Sequence, residues 1–342
     1  MAEFIKYYSR HNGTIPLFGD ADDARVLPMG FQSINDHNYL TSLIGFTFKY
    51  PNLVSGNPSV IDEVFWIVGY EKLLELPMPI YKYGSKAFRD GGFYIMGSNN
   101  THVFIDCGPV GLNGRGGHGH NDILSFDALI QGEQIISDCG AYLYTADYLE
   151  RNKFRSTSYH NTPMIDGKEI NRFITPKYLW NLHNDAFPQL LKWESNEDYD
   201  IFIGSHTGYK RFKEPVKPVR TIILKKSIGE LLISDIIEGN GIHNAQIPLH
   251  LHPNVKIKDI HSNSLNLVVG KKQFKLFWKG NNWSFKIDKS RVSLSYGVVT
   301  ETNKLLWACD DAVNKRLSIL ITSKSSDSYS DKLIDNLISN FI

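Results

Sequence analysis

Three cysteines in 342 residues, Cys107, Cys139 and Cys309, are too few and too scattered for a disulfide framework or a four-thiolate zinc site. They are expected as buried, reduced thiols. Excess charge is also missing. Lys and Arg number 37 against 36 Asp and Glu, so the formal charge of +1 advertises neither nucleic acid nor a membrane surface. No apolar run is long enough to span a bilayer. The opening MAEFIKYYSRHNGTIPLFGD has no apolar core of a signal peptide. The chain as written is therefore expected in the cytoplasm, or in the periplasm if it is part of a longer exported enzyme. No internal repeat or low-complexity tract is present.

What is present is an ordinary globular composition, 42% hydrophobic and 21% charged, with enough length to bury a sizeable core. The first eighty residues carry helical periodicity, in Ser33–Tyr50 and again in Ser59–Leu76. In the second, Ile61, Val64, Phe65, Val68, Leu73 and Leu76 make a broad apolar face that must rest on something. PMPIYKYGSKAF reads as a linker. Strand signals then dominate. GGFYIMGSNNTHVFIDCG predicts a hairpin around Ser98-Asn99-Asn100, DILSFDALIQGEQIISDCG another around Gln131-Gly132, and TIILKKSIGELLISDIIEG a third. Short strands are expected in NSLNLVVG, KQFKLFWKG, WSFKID, RVSLSYGVVT, LLWACD and LSILITS. The fold class is mainly β, a helical segment over residues 1–80 followed by a large antiparallel β-sandwich over 81–342.

Three groups of residues could carry chemistry. In GGHGHND (Gly116–Asp122), an extended backbone would turn His118 and His120 into one cavity, while Gly119 admits a close approach. Asp138 and Tyr142 follow the return strand of the next hairpin. Arg155, His160 and Asn161 lie in FRSTSYHNTPMIDG. His120, Asp138 and His160 make a His/Asp/His set suited to Zn²⁺ with one position open. A tight turn at Gln131-Gly132, however, leaves Asp138 about 17 Å short of His120 along the strand. Either the Gly-rich loop curls back over the sheet or a bulge shifts the register. A rival motif, His118-x-His120-x-Asp122, resembles the start of the metallo-β-lactamase-type pattern, but Ile123 stands where that pattern needs a further histidine.

GGHGHNDILSFDALIQGEQIISDCGAYLYT and FRSTSYHNTPMIDGKEI together resemble the C-terminal domain of the heparinase II/III-like polysaccharide lyases. The upstream FGDADDARVLP (Phe18–Pro28) resembles the segment where their helical domain hands over to the sheets. The resemblance implies an incomplete α/α toroid ending in a super-sandwich, and β-elimination of a uronic-acid-containing polysaccharide. It makes His118 the active-site histidine, His120, Asp138 and His160 the ligands of one site-organising zinc, and Tyr142 a tyrosine of the site. Asn161 shapes the loop. It also implies that further catalytic groups come from toroid helices preceding the matched region, so self-association or docking to an upstream toroid polypeptide is expected. The alternatives from other classes are a non-catalytic carbohydrate-binding sandwich and a metal-dependent hydrolase.

Overall fold

The computed structural model describes every residue except 26, 31–32, 34, 56–59, 76–83, 99, 324–329 and 342. Helices α1 (Ala2–Tyr8), α2 (Asn38–Phe48), α3 (Ile61–Val68) and α4 (Tyr70–Glu75) come first. The β region follows, with β1 (Lys86–Phe88), β2 (Phe93–Ser98), β3 (Thr101–Asp106), β4 (Phe126–Ile130) and β5 (Glu133–Ile136). After α5 (Tyr148–Phe154) come β6 (Met164–Ile165), β7 (Pro188–Ser195), β8 (Tyr199–His206), β9 (Val216–Lys225) and β10 (Glu230–Gly239). Next are β11 (Ala245–His250), β12 (Lys256–Ile260), β13 (Ser264–Val269), β14 (Lys272–Lys279), β15 (Ser284–Ser295), β16 (Val298–Cys309) and β17 (Leu317–Thr322). Helix α6 (Ser330–Phe341) ends the described chain.

The strands form three antiparallel sheets. One is the meander β1-β2-β3-β4-β5, one the eight-stranded β12-β13-β14-β17-β10-β9-β8-β7, and one β15-β16-β11-β6. Alternation sorts their side chains. Ile222 and Ile233 of the large sheet point into the main core with Met96, Ile105 and Ala128 of the meander and Ile247, Leu305 and Trp307 of the third sheet. The next residues along, Ile223 and Leu232, face the other way, where Ile334 and Leu337 of α6 cover them. On the outer face of the meander, Ile95 and Phe104 are closed over by Tyr8 and Ile15 of the N-terminal segment. All three cysteines are buried and free.

The predicted mainly β sandwich is present, and all three hairpins form. Asn99 of the first turn lies outside the described residues. In the second, Gln131 and Gly132 both take positive φ (51° and 83°), the geometry of a two-residue type I′ turn. WSFKID and RVSLS are one twelve-residue strand, β15, rather than two. The last residues of the expected linker, Lys86–Phe88, form β1, while residues 77–83 lie outside the description. Helix α2 starts later than expected, where an Asp36 carboxylate oxygen accepts from Asn38 N at 3.0 Å, and it stops at Lys49, whose φ is 58°.

The second predicted helix breaks at Gly69 (φ 83°), and its termini Ser59 and Leu76 lie outside the described residues. Val64, Val68 and Leu73 pack on Phe46 and Val54, but Phe65 does not join them. It remains exposed with Trp66, Ile67, Tyr70 and Leu74. Among the described residues no helix is long and apolar enough to cross a membrane.

Leu337 is the clearest probe of this packing. Leu337→Ala should cost about 2–4 kcal/mol in denaturant unfolding through lost burial and a cavity. An unchanged midpoint would show that α6 does not cover the large sheet.

Candidate functional site

The three sequence groups meet at one end of the sandwich, carried by the loop between β3 and β4, the segment after β5, and the turn after α5. One feature closes the expected gap between His120 and Asp138, the fold-back of the Gly-rich loop. β5 does carry a bulge, Ala128 pairing with Ile136 but Leu129 with Gln134, yet this sets Asp138 opposite Phe126, one residue further from His120. The Gly-rich loop folds back far enough to make up the difference. Ser125 N donates to Asp122 O at 2.7 Å, Leu124 N to Asp106 O at 2.7 Å, and Gly119 N to Gly116 O at 3.3 Å. Gly119 is required here, since a Cβ would sit 2.2 Å from the carbonyl oxygen of Val110.

Asn161 and Arg220 fasten these segments together. Asn161 Nδ2 donates to Phe126 O and Ser137 O at 2.9 and 3.0 Å. Its backbone N donates to Ser125 Oγ at 3.0 Å, and its Oδ1 accepts from His250 N at 2.7 Å. Arg220, fully buried on β9, donates to Leu124 O at 2.8 Å and to Asn161 O, and forms a bidentate pair with Asp235 at 2.8 Å. Arg155 is likewise structural, donating to the carbonyls of Leu179 and Tyr178 at 2.8 and 3.1 Å.

His120 and His160 face each other, ring centroids 5.2 Å apart. Each has a carboxylate on one nitrogen. Asp20 Oδ1 lies 2.9 Å from His120 Nε2, and Asp138 Oδ2 lies 2.7 Å from His160 Nδ1. The opposite nitrogens, His120 Nδ1 and His160 Nε2, are buried and have no hydrogen-bond partner. One ligating atom from each of His120, Asp122 and His160 lies within 4.8 Å of the others. The carboxylate grouped with the two imidazoles is thus Asp122, and Asp138 stands behind His160.

Charge in this buried cluster is unevenly held. Burial raises the pKa of Asp138, but His160 more than offsets it, leaving the carboxyl below its usual range. Burial works against a protonated His160 too, yet Asp138 lifts it to about 9. Burial lowers His120, aided by Arg151 and against Asp20. Burial and the adjacent Asp122 push Asp106 well above the carboxylate range. Two buried carboxylates side by side with two orphaned imidazole nitrogens form a set that a cation would satisfy.

His118 differs. Its side chain is 66% exposed, and Asp20 Oδ2 holds its Nδ1 at 2.9 Å, leaving Nε2 free of that tether. Asp20 also pairs with Arg151, Nη2 to Oδ2 at 2.8 Å, and its backbone N donates to His118 O at 3.1 Å. Although burial opposes its ionisation, His120, Arg151 and His118 hold its carboxyl below the usual range. Alongside lies a cavity of about 390 Å³ lined by Asp20, Asp22, Asp106, His118, His120 and Asp122, among others.

Of the residues singled out in the sequence, His118, His120, Asp138 and His160 come together. Tyr142 does not line the cavity; it packs on Phe154 at 5.3 Å, in a small cluster with Cys139 and Val292. The neighbouring tyrosine, Tyr144, does not line it either but sits beside it, donating at 2.8 Å to Oδ2 of Asp22, which does. Burial, reinforced by that bond, raises its pKa. Asp20, Tyr144 and Arg151 were not picked out as site residues, and Asp122 only within the rival His118-x-His120-x-Asp122 motif. Asp20 had a signal in the hand-over segment FGDADDARVLP, and Asp122 in the quoted GGHGHND.

A family profile described as "Heparinase II/III-like, C-terminal" matches residues 82–329. The chain belongs to that family. A heparin-sulfate lyase of Bacteroides stercoris is 26% identical over 106 residues, which make up 29% of this chain and 15% of that protein. Among solved structures, a heparinase III gene product superposes with a TM-score of 0.70 at 18% identity, over 95% of this chain and 46% of its own. Heparan sulfate lyase HepC of Pedobacter heparinus gives 0.68 at 17% identity, over 94% and 46%. At such identities the structural likeness concerns the fold. This heparinase II/III-like chain spans less than half the length of those structures.

His102, His206 and His250 are buried and kept neutral, their pKa values lowered by burial to about 3. The unfolded chain therefore binds more protons than the folded one between about pH 6.5 and 3. Stability should be retained above that window and lost as pH falls through it, read as a declining urea midpoint. A flat profile from pH 6.5 to 4 would contradict the burial of these rings. Asp235→Asn, which strands the buried Arg220 charge, should cost about 3–5 kcal/mol at neutral pH by the same measurement.

Proposed function

We propose that this chain is the sandwich portion of a polysaccharide lyase that cleaves a uronic-acid-containing polysaccharide by β-elimination, with His118 at the reacting sugar. The observation that carries this is the contrast within Gly-His-Gly-His. His120 is buried among carboxylates, whereas His118 is held at the surface of the cavity by Asp20 and remains free to meet a ligand. The family match supports the polysaccharide.

The chemistry suits such a group. The C5 proton of a uronate is weakly acidic, so the sugar carboxylate must be neutralised, the proton taken by a base, and the departing O4 protonated. An imidazole can serve as base or as charged donor. Tyr144, its phenol kept protonated, is better placed than Tyr142 to donate a proton or a hydrogen bond near His118.

One zinc fits the residues behind His118, with His120, His160 and Asp122 as its holders and Asp138 orienting His160 from the far nitrogen. When bound, it would supply positive charge to a site crowded with carboxylates and fix the loop that carries His118. β-Elimination needs no hydrolytic nucleophile, so no activated water is invoked. Protein purified without chelator should hold about one metal per chain by elemental analysis. Asp122→Asn should lower it as sharply as His120→Ala or His160→Ala, and Asp138→Asn less. Equal metal content in all four variants and wild type would remove the metal from the site.

The exposed Phe65, Trp66, Ile67, Tyr70 and Leu74 fit a surface that another helical layer covers, from a toroid polypeptide or a second copy. The remaining acid and base groups are expected from such a layer, so this chain alone should be a poor lyase. Unsaturated uronate, seen as new near-ultraviolet absorbance on heparan sulfate, alginate or hyaluronan, should appear when an upstream toroid polypeptide is added, and His118→Ala should abolish it. Sugar binding with no unsaturated product under any condition would favour a carbohydrate-binding sandwich. New reducing ends without unsaturation would mean a hydrolase.

A further inference from the structure

The cavity beside His118 is lined by Asp20, Asp22, Asp106 and Asp122, and by no Lys or Arg among the described residues, although Arg151 pairs with Asp20. A substrate chain that reaches His118 also meets a second surface beside it.

That surface is aromatic. The ring of Trp180 lies 5.4 Å from His118 and 5.5 Å from Tyr144, and Tyr144 lies 4.8 Å from Tyr296. The run starts at the exposed histidine and leads away from it. Trp180 and Tyr296 are 36% and 38% exposed, so their rings are open to solvent while still anchored.

The anchoring comes from three distant stretches of chain. Tyr144 Oη donates to Asp22 Oδ2 at 2.8 Å, and its backbone N donates to Tyr296 Oη at 3.2 Å. Tyr296 N in turn donates to Asp23 Oδ1 at 3.2 Å. Beneath the rings, the fully buried guanidinium of Arg151 sits 5.4 Å from both Tyr144 and Trp180, held in place by Asp20. Rings fixed this way lose little entropy when a ligand covers them.

From these observations we propose that Trp180, Tyr144 and Tyr296 form a sugar-stacking subsite, which carries a pyranose of the acidic polysaccharide next to the sugar that reacts at His118. The C–H-rich face of a pyranose is apolar and slightly positive, complementary to the negative face of an aromatic ring. An uncharged shelf also leaves the substrate's carboxylates and sulfates pointing into water rather than into the acidic cavity. The assignment rests on the proposed polysaccharide substrate and adds where its chain lies.

The test measures affinity by calorimetry on the full chain, so it needs no turnover. The probes are size-defined hexasaccharides of heparan sulfate, hyaluronan and alginate. For whichever hexasaccharide binds wild type, Trp180→Ala should weaken the dissociation constant about tenfold. Trp180→Phe should restore most of the affinity, and Tyr296→Ala, which leaves Trp180 in place, should weaken binding as well. Thermal midpoints near wild type establish that the variants are folded. Unchanged affinity in both alanine variants overturns the shelf and leaves the lyase reading standing. Weakened binding in them, with no unsaturated product from any assembled form, supports the shelf and sinks the lyase reading. Failure of wild type to bind any of the three hexasaccharides overturns the shelf outright.

Discussion

A single buried guanidinium ties the functional end of this molecule to its core. Arg220 rises from β9 in the middle of the large sheet, is neutralised by Asp235, and spends its remaining donors on the carbonyls of Leu124 and Asn161. Leu124 closes the Gly-His-Gly-His loop and Asn161 follows His160, so one side chain fixes the spacing between the two histidine-bearing segments. A buried charge is tolerable only when its partners are geometrically matched, and a bidentate carboxylate plus two carbonyls meets that condition. Asn161 extends the tie by bonding to the segments on either side of the β4–β5 hairpin. The site is a set of loops, but its geometry is dictated by a sheet.

A second joint, Asp20, decides how charge is distributed. It lies in the hand-over segment, about a hundred residues before the histidines it touches, and it holds His118, His120 and Arg151 at once. On one side of this joint are buried carboxylates and orphaned imidazole nitrogens, a setting for a cation. On the other is the uncharged run of Trp180, Tyr144 and Tyr296. His118 stands on the border between them.

Much of this was legible in the sequence because it is local. Alternating apolar residues gave the strands, and Gln131-Gly132 gave its hairpin through φ requirements that few residue pairs meet. The pairing of His120, Asp138 and His160 was visible through family resemblance, and the structure does bring them together. Less local features were hidden. Strands β7, β8, β11 and β12 carry a weaker alternation, and α6 is short and polar enough to pass as a tail, since its packing against Ile223 and Leu232 is a tertiary fact. That Asp122 as well as Asp138 comes beside the imidazoles depends on the turn closed by Ser125 N, and Tyr142, whose φ is 57°, packs on Phe154. Neither follows from spacing.

The account turns on where a sugar chain lies relative to His118, and a crystal structure of the full chain soaked with an acidic hexasaccharide reads that directly. The expected result is one pyranose stacked on Trp180, its neighbour over His118, and no sugar carboxylate or sulfate within the cavity lined by Asp20, Asp106 and Asp122. An acidic sugar seated inside that cavity, with the aromatic run bare, would contradict it.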